Sequence, residues 1–419
     1  MTTTQTRTGT FYGWNVVGAA FVLAAFGWGM GFYGPPVFLS VVSAARGWPL
    51  SLVSTAVTIQ FLIGALAGAN LPSLYARFGV ATVTKAGALS LAIGICGWAM
   101  ASTPWQLFVA ALLGGAGWGA MSAVAINAIV SPWFVRARPA ALAMAYNGGS
   151  IGGVVFSPLW VAAIDTLGFP TAAATIGGVM ALTMWVLADL LFSRTPQQMG
   201  LTPDGDAPGE TAALVTAPDA RPRPGSLLWK DFRFQTLALG MALGLFAQIG
   251  LVAHLFSLLT PALGAQQAGL AMGLATALAI GGRTIVGWVM PRGTDRRLVA
   301  CVSYAVQMTG SIVFIAAAGT CVPLLLLGIV LFGIGFGNAT SLPPLIAQIE
   351  FVAADVTRVV ALIVGVSQAT YAFAPAAFGL IRALAPHTEG AAAGAAPGLF
   401  AAAAFAQGLA IGAFLAGRR

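Results

Sequence analysis

The chain has 419 residues, of which 58% are hydrophobic and only 7% charged, with 53 glycines and a formal net charge of +8 from 19 Lys and Arg against 11 Asp and Glu. A soluble globular protein carries roughly 25% charged residues, so this composition cannot coat a water-facing surface, and its richness in apolar residues excludes disorder. The solvent it implies is lipid. A spanning helix uses about 20 apolar residues, so twelve would take about 240 and leave short loops with one longer connection. Cys96, Cys301 and Cys321 lie in or beside apolar runs without CxxC spacing or a neighbouring His or acidic cluster, which argues against a disulfide framework, a metal site or a bound cofactor. Residues 1–10 are polar, and the apolar run that follows is too long for a cleavable signal peptide. It is expected to remain as the first span.

In chain order, the apolar stretches and their punctuation predict six spans near 14–39, 50–75, 82–101, 106–130, 140–164 and 171–192. A polar, Pro-rich stretch over 193–226 follows, and its Asp204, Asp206, Glu210, Asp219, Arg221 and Arg223 read as a solvated linker. Six more spans are predicted near 229–259, 268–290, 299–317, 323–349, 359–384 and 397–416. The fold class is therefore an all-α membrane protein of twelve helices, with a first half over 1–192, a linker over 193–228 and a second half over 229–419.

Basic residues fall on alternate loops, as the positive-inside rule requires of correct spans. With the N-terminus inside, the inner segments hold Arg7, Arg77, Lys85, Arg136, Arg138, Arg194, Arg221, Arg223, Lys230, Arg233, Arg292, Arg296, Arg297, Arg358, Arg418 and Arg419, whereas the outer loops keep Arg46 and Arg382. Both termini are thus expected in the cytoplasm, with the chain crossing a bacterial-type cell membrane. The one remaining basic residue, Arg283, lies inside the eighth span. The halves also repeat each other: Gly115, Gly117 and Gly119 in the fourth span recur as Gly333, Gly335 and Gly337 in the tenth, at a constant offset of 218. Small residues at such spacing also serve simply to let helices pack closely.

Six spans, a polar loop and six more with an internal repeat resemble the major facilitator superfamily. Trp133-Phe134-Val135-Arg136-Ala137-Arg138, followed by Gly148-Gly149-Ser150-Ile151-Gly152, resembles the signature entering the fifth span of the monocarboxylate porter family. Tyr12-Gly13-Trp14, Ala76-Arg77-Phe78-Gly79, Val252-Ala253-His254-Leu255, Gly282-Arg283-Thr284-Ile285-Val286-Gly287-Trp288 and Gly200-Leu201-Thr202-Pro203-Asp204-Gly205 are similar to bacterial members of that family. The resemblance implies two pseudo-symmetric six-helix halves, a functional monomer, and a gating role for the loop residues Arg77, Gly79, Arg136 and Arg138. The chain also departs from the pattern. Ala76 stands where the superfamily usually has Asp, Tyr33 is the nearest polar residue to the position of the family's first-span Lys, Ala279 replaces the Asp four residues before the span-eight Arg, and Gln368 replaces a second basic residue of the related oxalate exchanger.

A guanidinium at mid-membrane depth costs several kcal/mol unless it faces a water-filled cavity or an anion. Arg283 presents five donors that suit a carboxylate held bidentately and stays charged at physiological pH. Asp165, Asp189, Glu350 and Asp355 all fall near span ends, so the simplest partner for Arg283 is an anionic substrate, the alternative being backbone carbonyls. His254 is the intramembrane side chain whose unperturbed titration lies near physiological pH, which makes it a candidate for substrate binding or proton coupling; a neutral His bonded to a neighbouring helix is the plainer reading. Tyr33, Asn147, Asn338, Gln368 and Tyr371 are further candidates to line the substrate site, although Asn127 and Asn338 equally suit helix cross-links. Pro35, Pro36, Pro343, Pro344 and Pro375 are expected to interrupt their spans.

These residues point to a secondary transporter moving a small organic monocarboxylate by alternating access, and the resemblance implies that it is linked to protons. Uniport, exchange, or carriage of a larger amphipathic anion such as an aromatic acid, siderophore or antibiotic fits the same charges. Membrane lipid and a small organic anion are the expected partners, and nucleic acid is not. Two histidines and terminal acids supply no catalytic group at the spacing an enzyme needs, and no GxxxxGK motif offers nucleotide drive.

Overall fold

The computed structural model describes residues 11–205, 225–290, 293–384 and 394–418. The expectations for residues 1–10, for Asp206, Glu210 and Asp219, and for Arg7, Arg221, Arg223, Arg292 and Arg419 lie outside the described residues. Twelve helices are long and apolar enough to cross a membrane. They are Tyr12–Arg46 (span 1), Leu50–Phe78 (span 2), Val80–Met100 (span 3), Pro104–Trp133 (span 4), Arg138–Leu167 (span 5) and Phe169–Phe192 (span 6), then Phe232–Leu263 (span 7), Ala265–Val289 (span 8), Arg296–Ala317 (span 9), Val322–Glu350 (span 10), Ala354–Leu384 (span 11) and Pro397–Ala416 (span 12). Among the described residues there is no strand, as expected where lipid offers no partner for backbone N–H and C=O groups. Single-residue turns at Gly79 and Gly264, each at φ +79°, join spans 2 and 3 and spans 7 and 8. That backbone region favours glycine.

The spans carry breaks that the sequence only partly predicts. Span 1 runs to residue 46 rather than 39 and breaks at Phe32 and Tyr33 between the helices Tyr12–Gly31 and Gly34–Arg46, which puts Pro35 and Pro36 in the first turn of the second helix. Span 11 breaks between Ala353–Tyr371 and Ala374–Leu384, with Pro375 in the first turn. Both placements follow from the missing proline N–H, which is an orphan at a helix start in any case. Pro343 and Pro344 are the exception. They lie inside Asn338–Glu350, and the break in span 10 falls upstream at Gly337. The carbonyls near two of these breaks are satisfied from neighbouring helices: Gln60 Nε2 donates to Gly31 O at 2.9 Å, and Gln248 Nε2 donates to Phe336 O at 3.0 Å. These amides give the two backbone carbonyls a partner that the broken helices do not supply.

The glycine repeat has matching geometry in both halves. Gly115 and Gly119 lie against span 2 at Gln60 and Gly64, and Gly117 lies against span 3 at Gly87 and Leu91; likewise Gly333 and Gly337 lie against span 8 at Ala275 and Ala279, and Gly335 lies against span 9 at Ser303. A side chain at any of these positions would separate the helices.

Spans 1–6 pack chiefly on one another and spans 7–12 likewise, while span 5 packs on span 8, the second segment of span 11 on span 2, and the second segment of span 1 on span 7. These cross-contacts gather toward the side away from the described chain ends, here the distal side. Ala376 N–H donates to Thr58 Oγ1 at 3.1 Å, and Gly379 sits against Ser54. On the opposite, basal side Met144 of span 5 is 55% exposed and Trp288 of span 8 is 85% exposed. The contacts described between spans 2 and 11 close the distal side.

Two sequence expectations need correction. Arg382 is not in a loop but in the last turn of span 11, half-buried, donating to Ser257 Oγ of span 7 at 2.6 Å. The start of the linker is not merely solvated. It folds back so that Asp204 Oδ2 accepts from Val135 N at 2.9 Å and Arg136 N at 2.8 Å, and Oδ1 accepts from Ala137 N at 3.1 Å. Three successive N–H groups of the loop between spans 4 and 5 form an anion nest that this chain fills with its own carboxylate.

Arg297 anchors the basal end of the second half. It is 2% exposed, its Nε and Nη2 donate to both oxygens of Glu350 at 2.6 and 2.8 Å, and its remaining donors reach Thr236 Oγ1 and Arg233 O. Removing one partner of a buried ion pair costs about 3–5 kcal/mol. Arg297→Gln is therefore expected to lower the thermal unfolding midpoint in detergent by several degrees, and an unchanged midpoint would count against this anchor.

Candidate substrate site

Arg283 lies on span 8 where the two halves meet. Its Nη2 donates to Ser150 Oγ of span 5 at 3.0 Å, its Cβ faces Gly337 at the break of span 10, and its charge reaches the Tyr33 hydroxyl. Tyr33, in the break of span 1, is 5% exposed and lies beside Thr276 of span 8. Distal to Arg283, Tyr33, Val252, Leu255, Met272, Thr276 and Phe332 enclose a void of only about 10 Å³, room for about one water. Arg283 itself is half-buried and lies basal of this void.

This arginine, like Arg382 on Ser257, is left without a carboxylate among the described residues. Among the described residues, Lys85 pairs with Asp189, Arg297 with Glu350 and Arg418 with Asp295, whereas Arg283 contacts hydroxyl groups and no carboxylate. A half-buried guanidinium bonded only to neutral acceptors keeps the capacity to take an anion in a charge-assisted, two-pronged contact.

The other predicted residues divide. Asn147 is exposed one turn basal of Ser150 and shares its helix face at a spacing of three. Gln368 and Tyr371 are bonded to each other just basal of the break in span 11, and the Tyr371 ring meets Phe61 of span 2 at 6.2 Å. Phe61 stacks on Phe32 at 5.9 Å, Phe32 meets Trp118 at 6.4 Å, and Trp118 meets Trp28 at 4.9 Å. An aromatic run so extends from span 11 through spans 2, 1 and 4.

Asn338 turns away. It is 3% exposed and its amide donates to Ser303 Oγ of span 9 at 3.2 Å, so it cross-links helices. His254 is fully buried, with Nε2 3.0 Å from Pro375 O and its ring beside Gly379. It belongs to the distal closure between spans 7 and 11, and nothing among its contacts joins it to Arg283.

The loop residues serve the basal ends. Arg77 lies over the Phe78 ring at 5.0 Å, Gly79 makes the turn into span 3, Arg138 Nε donates to Phe134 O at 2.8 Å, and Arg136 contributes its backbone N–H to Asp204. Partial burial pushes the Asp204 carboxyl up, but the three N–H donors and the Arg136 charge outweigh it and hold the group below its ordinary value. A depressed carboxylate stabilises above its unfolded value, near 3.9, and loses that contribution as pH falls through the folded value. The linker contact should therefore hold at neutral pH and release only below about pH 4. In limited proteolysis at pH 7, Asp204→Ala is expected to be cut in the linker several-fold faster than wild type; equal rates would contradict the contact.

Sequence reasoning missed Ser150 as the partner of Arg283 and Thr276 as the neighbour of Tyr33, and it missed the aromatic run. Ser150 stands in the glycine-rich motif of span 5, and its hydroxyl among four glycines was the available signal.

A fold with two packed sets of six helices and a half-buried arginine at their shared interface is that of a membrane transporter. The chain belongs to the Major Facilitator Superfamily, whose family description matches residues 17–375. MFS-type transporter 1 of Ophiocordyceps sp. (strain BCC 1869) is 26% identical over 194 residues, which are 45% of this chain and 42% of that protein; the match spans less than half of the relative's length. Among solved structures, the nucleoside transporter NupG superposes with a TM-score of 0.73 at 14% identity over 96% of this chain and 99% of that one. A bacterial homologue of the human lysosomal transporter Spinster, in an inward-facing and occupied conformation, gives 0.74 at 13% over 98% and 97%. A D-xylose-proton symporter gives 0.69 at 14% over 98% and 97%. At these identities the likeness is one of fold.

Proposed function

We propose that this transporter carries an organic monocarboxylate across a bacterial-type cell membrane, with both termini cytoplasmic and the basal side facing inward. The observation that supports this most is Arg283, held by Ser150 at the interface of the two halves without a carboxylate partner among the described residues. Residues 1–192 and 229–419 are the two rocking bodies, joined by 193–228, and one protomer suffices. The substrate carboxylate takes the fork of Arg283, with Asn147, Gln368 and Tyr371 around it.

The aromatic run favours a particular form of this reading. Phe32, Phe61, Tyr371, Trp118 and Trp28 form a run of ring contacts across spans 1, 2, 4 and 11, and a carboxylate with an aromatic or extended apolar body would pack against such rings better than a lactate-sized acid. Uptake of radiolabelled acids, from lactate-sized to aromatic, into proteoliposomes with and without an inward proton gradient tests both points. Saturable uptake that accumulates with the gradient supports proton linkage, equilibration alone supports uniport or exchange, and failure to take up any acid overturns the carboxylate reading.

Proton coupling, in this reading, runs through His254. Ala279 removes the acid that would stand one turn from Arg283, and His254 bonds the Pro375 carbonyl at the break of span 11, where a change in its charge would alter the distal closure. His254→Gln is expected to flatten the pH dependence of uptake; a profile identical to wild type removes His254 from the coupling.

A further inference from the structure

The basal end of the second half holds a cleft of about 340 Å³ that is separate from the candidate substrate site. It is bounded by the starts of spans 7 and 9 and the ends of spans 10 and 12, and its charged lining comprises Arg233, Asp295, Arg296, Arg297, Glu350 and Arg418. The two carboxylates are already engaged. Glu350 receives both prongs of Arg297, and Asp295 receives Arg418 Nε at 2.6 Å while capping span 9 through the N–H groups of Arg297 and Leu298.

Two positive charges are left over. Arg296 donates to the neutral Leu345 carbonyl at 2.7 Å, and among the described residues neither Arg296 nor Arg233 has a carboxylate partner. The N-termini of spans 7 and 9 lie at the same place but are each already capped by a carboxylate, Asp231 and Asp295, so the two side chains carry the surplus. The rim is apolar: Ile349 lines the cleft at 62% exposure, with exposed Phe232 next to Arg233 and exposed Leu298 two residues after Arg296 in sequence. A site with surplus cations at the depth where spans end, edged by uncovered hydrocarbon, matches an occupant with an anionic head and an apolar tail.

We propose that this cleft binds the phosphate of an anionic phospholipid headgroup, with Arg233 and Arg296 as its ligands and the acyl chains lying past Ile349. The Arg297–Glu350 and Arg418–Asp295 pairs act as the frame that keeps the two free guanidinium groups apart. The site requires no particular substrate for the transporter, so its test does not depend on transport.

The test uses the full chain purified in a neutral detergent, with thermal unfolding and native mass spectrometry as readouts. Phosphatidylglycerol is expected to raise the unfolding midpoint and to remain bound as discrete adducts, whereas phosphatidylcholine and inorganic phosphate do neither. Each surface arginine contributes about 1 kcal/mol toward an anionic lipid, so losing both should weaken phosphatidylglycerol binding about thirtyfold. The double variant Arg233→Gln/Arg296→Gln should show that loss, and Arg233→Gln alone, whose side chain makes no hydrogen bond among the described residues, should show about a fivefold part of it. Equal stabilisation of wild type and Arg233→Gln by phosphatidylglycerol would overturn the proposal, as would a full shift produced by inorganic phosphate alone, which would identify a free anion as the occupant.

Discussion

Arg283→Gln is expected to abolish saturable carboxylate uptake while leaving a folded protein in the membrane. The substitution keeps polar reach toward Ser150 Oγ, now 3.0 Å from Nη2, but removes the charge and the fork. Hydrogen bonds to charged groups contribute about 1.5–3 kcal/mol each, so loss of a two-pronged contact should weaken substrate binding by at least about 10²-fold. Folding should survive because Arg283 is half-buried and closes no ion pair among the described residues. Arg283→Lys separates charge from geometry: a point charge without the planar fork should retain a fraction of uptake with a raised KM. Ser150→Ala removes one neutral acceptor and should cost about fivefold. Uptake unchanged in Arg283→Gln, in protein shown to be inserted and folded, would remove Arg283 from the site and with it the carboxylate reading.

The reach of the sequence toward this site was set by which forces act locally. Twelve apolar runs separated by polar punctuation betray the spans because lipid imposes one rule on every residue of a run, and alternating basic loops fix their order. Arg283 is legible for the same reason, since a charge at that depth violates the rule. Side-chain direction obeys no such rule. Asn338 and Asn147 look alike as polar residues inside apolar runs, yet Asn338 faces Ser303 of span 9 while Asn147 is exposed on the face of Ser150. His254 was conspicuous as a lone titratable group, but its partner is the carbonyl of Pro375, 121 residues away, a pairing that depends on where span 11 breaks. The breaks themselves were half legible: Pro35 and Pro375 mark two of them, whereas the break at Gly337 precedes Pro343 and is supported by Gln248 from another helix. Asp204 shows the same limit, because a charged linker residue betrays solubility and not the three N–H groups it meets 67 to 69 residues earlier.

The distal closure provides the second large effect. Gly379→Leu should hold the distal side open and arrest transport after binding. A Cβ on Gly379 would overlap Ser54 Oγ and lie 3.0 Å from Ser54 Cβ and 3.5 Å from His254 Cε1, so the second segment of span 11 cannot rest on span 2 with a larger side chain between them. Overpacking a close contact costs about 1–3 kcal/mol, and because the clash exists only in the distally closed state, the full cost shifts the balance between conformations, by about thirtyfold for 2 kcal/mol. Thr58→Val should push the same way by leaving Ala376 N–H, now 3.1 Å from Thr58 Oγ1, without its acceptor in the closed state alone. Spin labels on the distal ends of spans 2 and 11, in a background lacking Cys96, Cys301 and Cys321, should report a longer separation in Gly379→Leu than in wild type, with substrate still binding from the distal side and net flux lost. Wild-type flux with an unlengthened distance would mean that spans 2 and 11 do not form the distal gate, and the halves would then have to part along spans 5 and 8, where Arg283 itself bonds Ser150 across the interface.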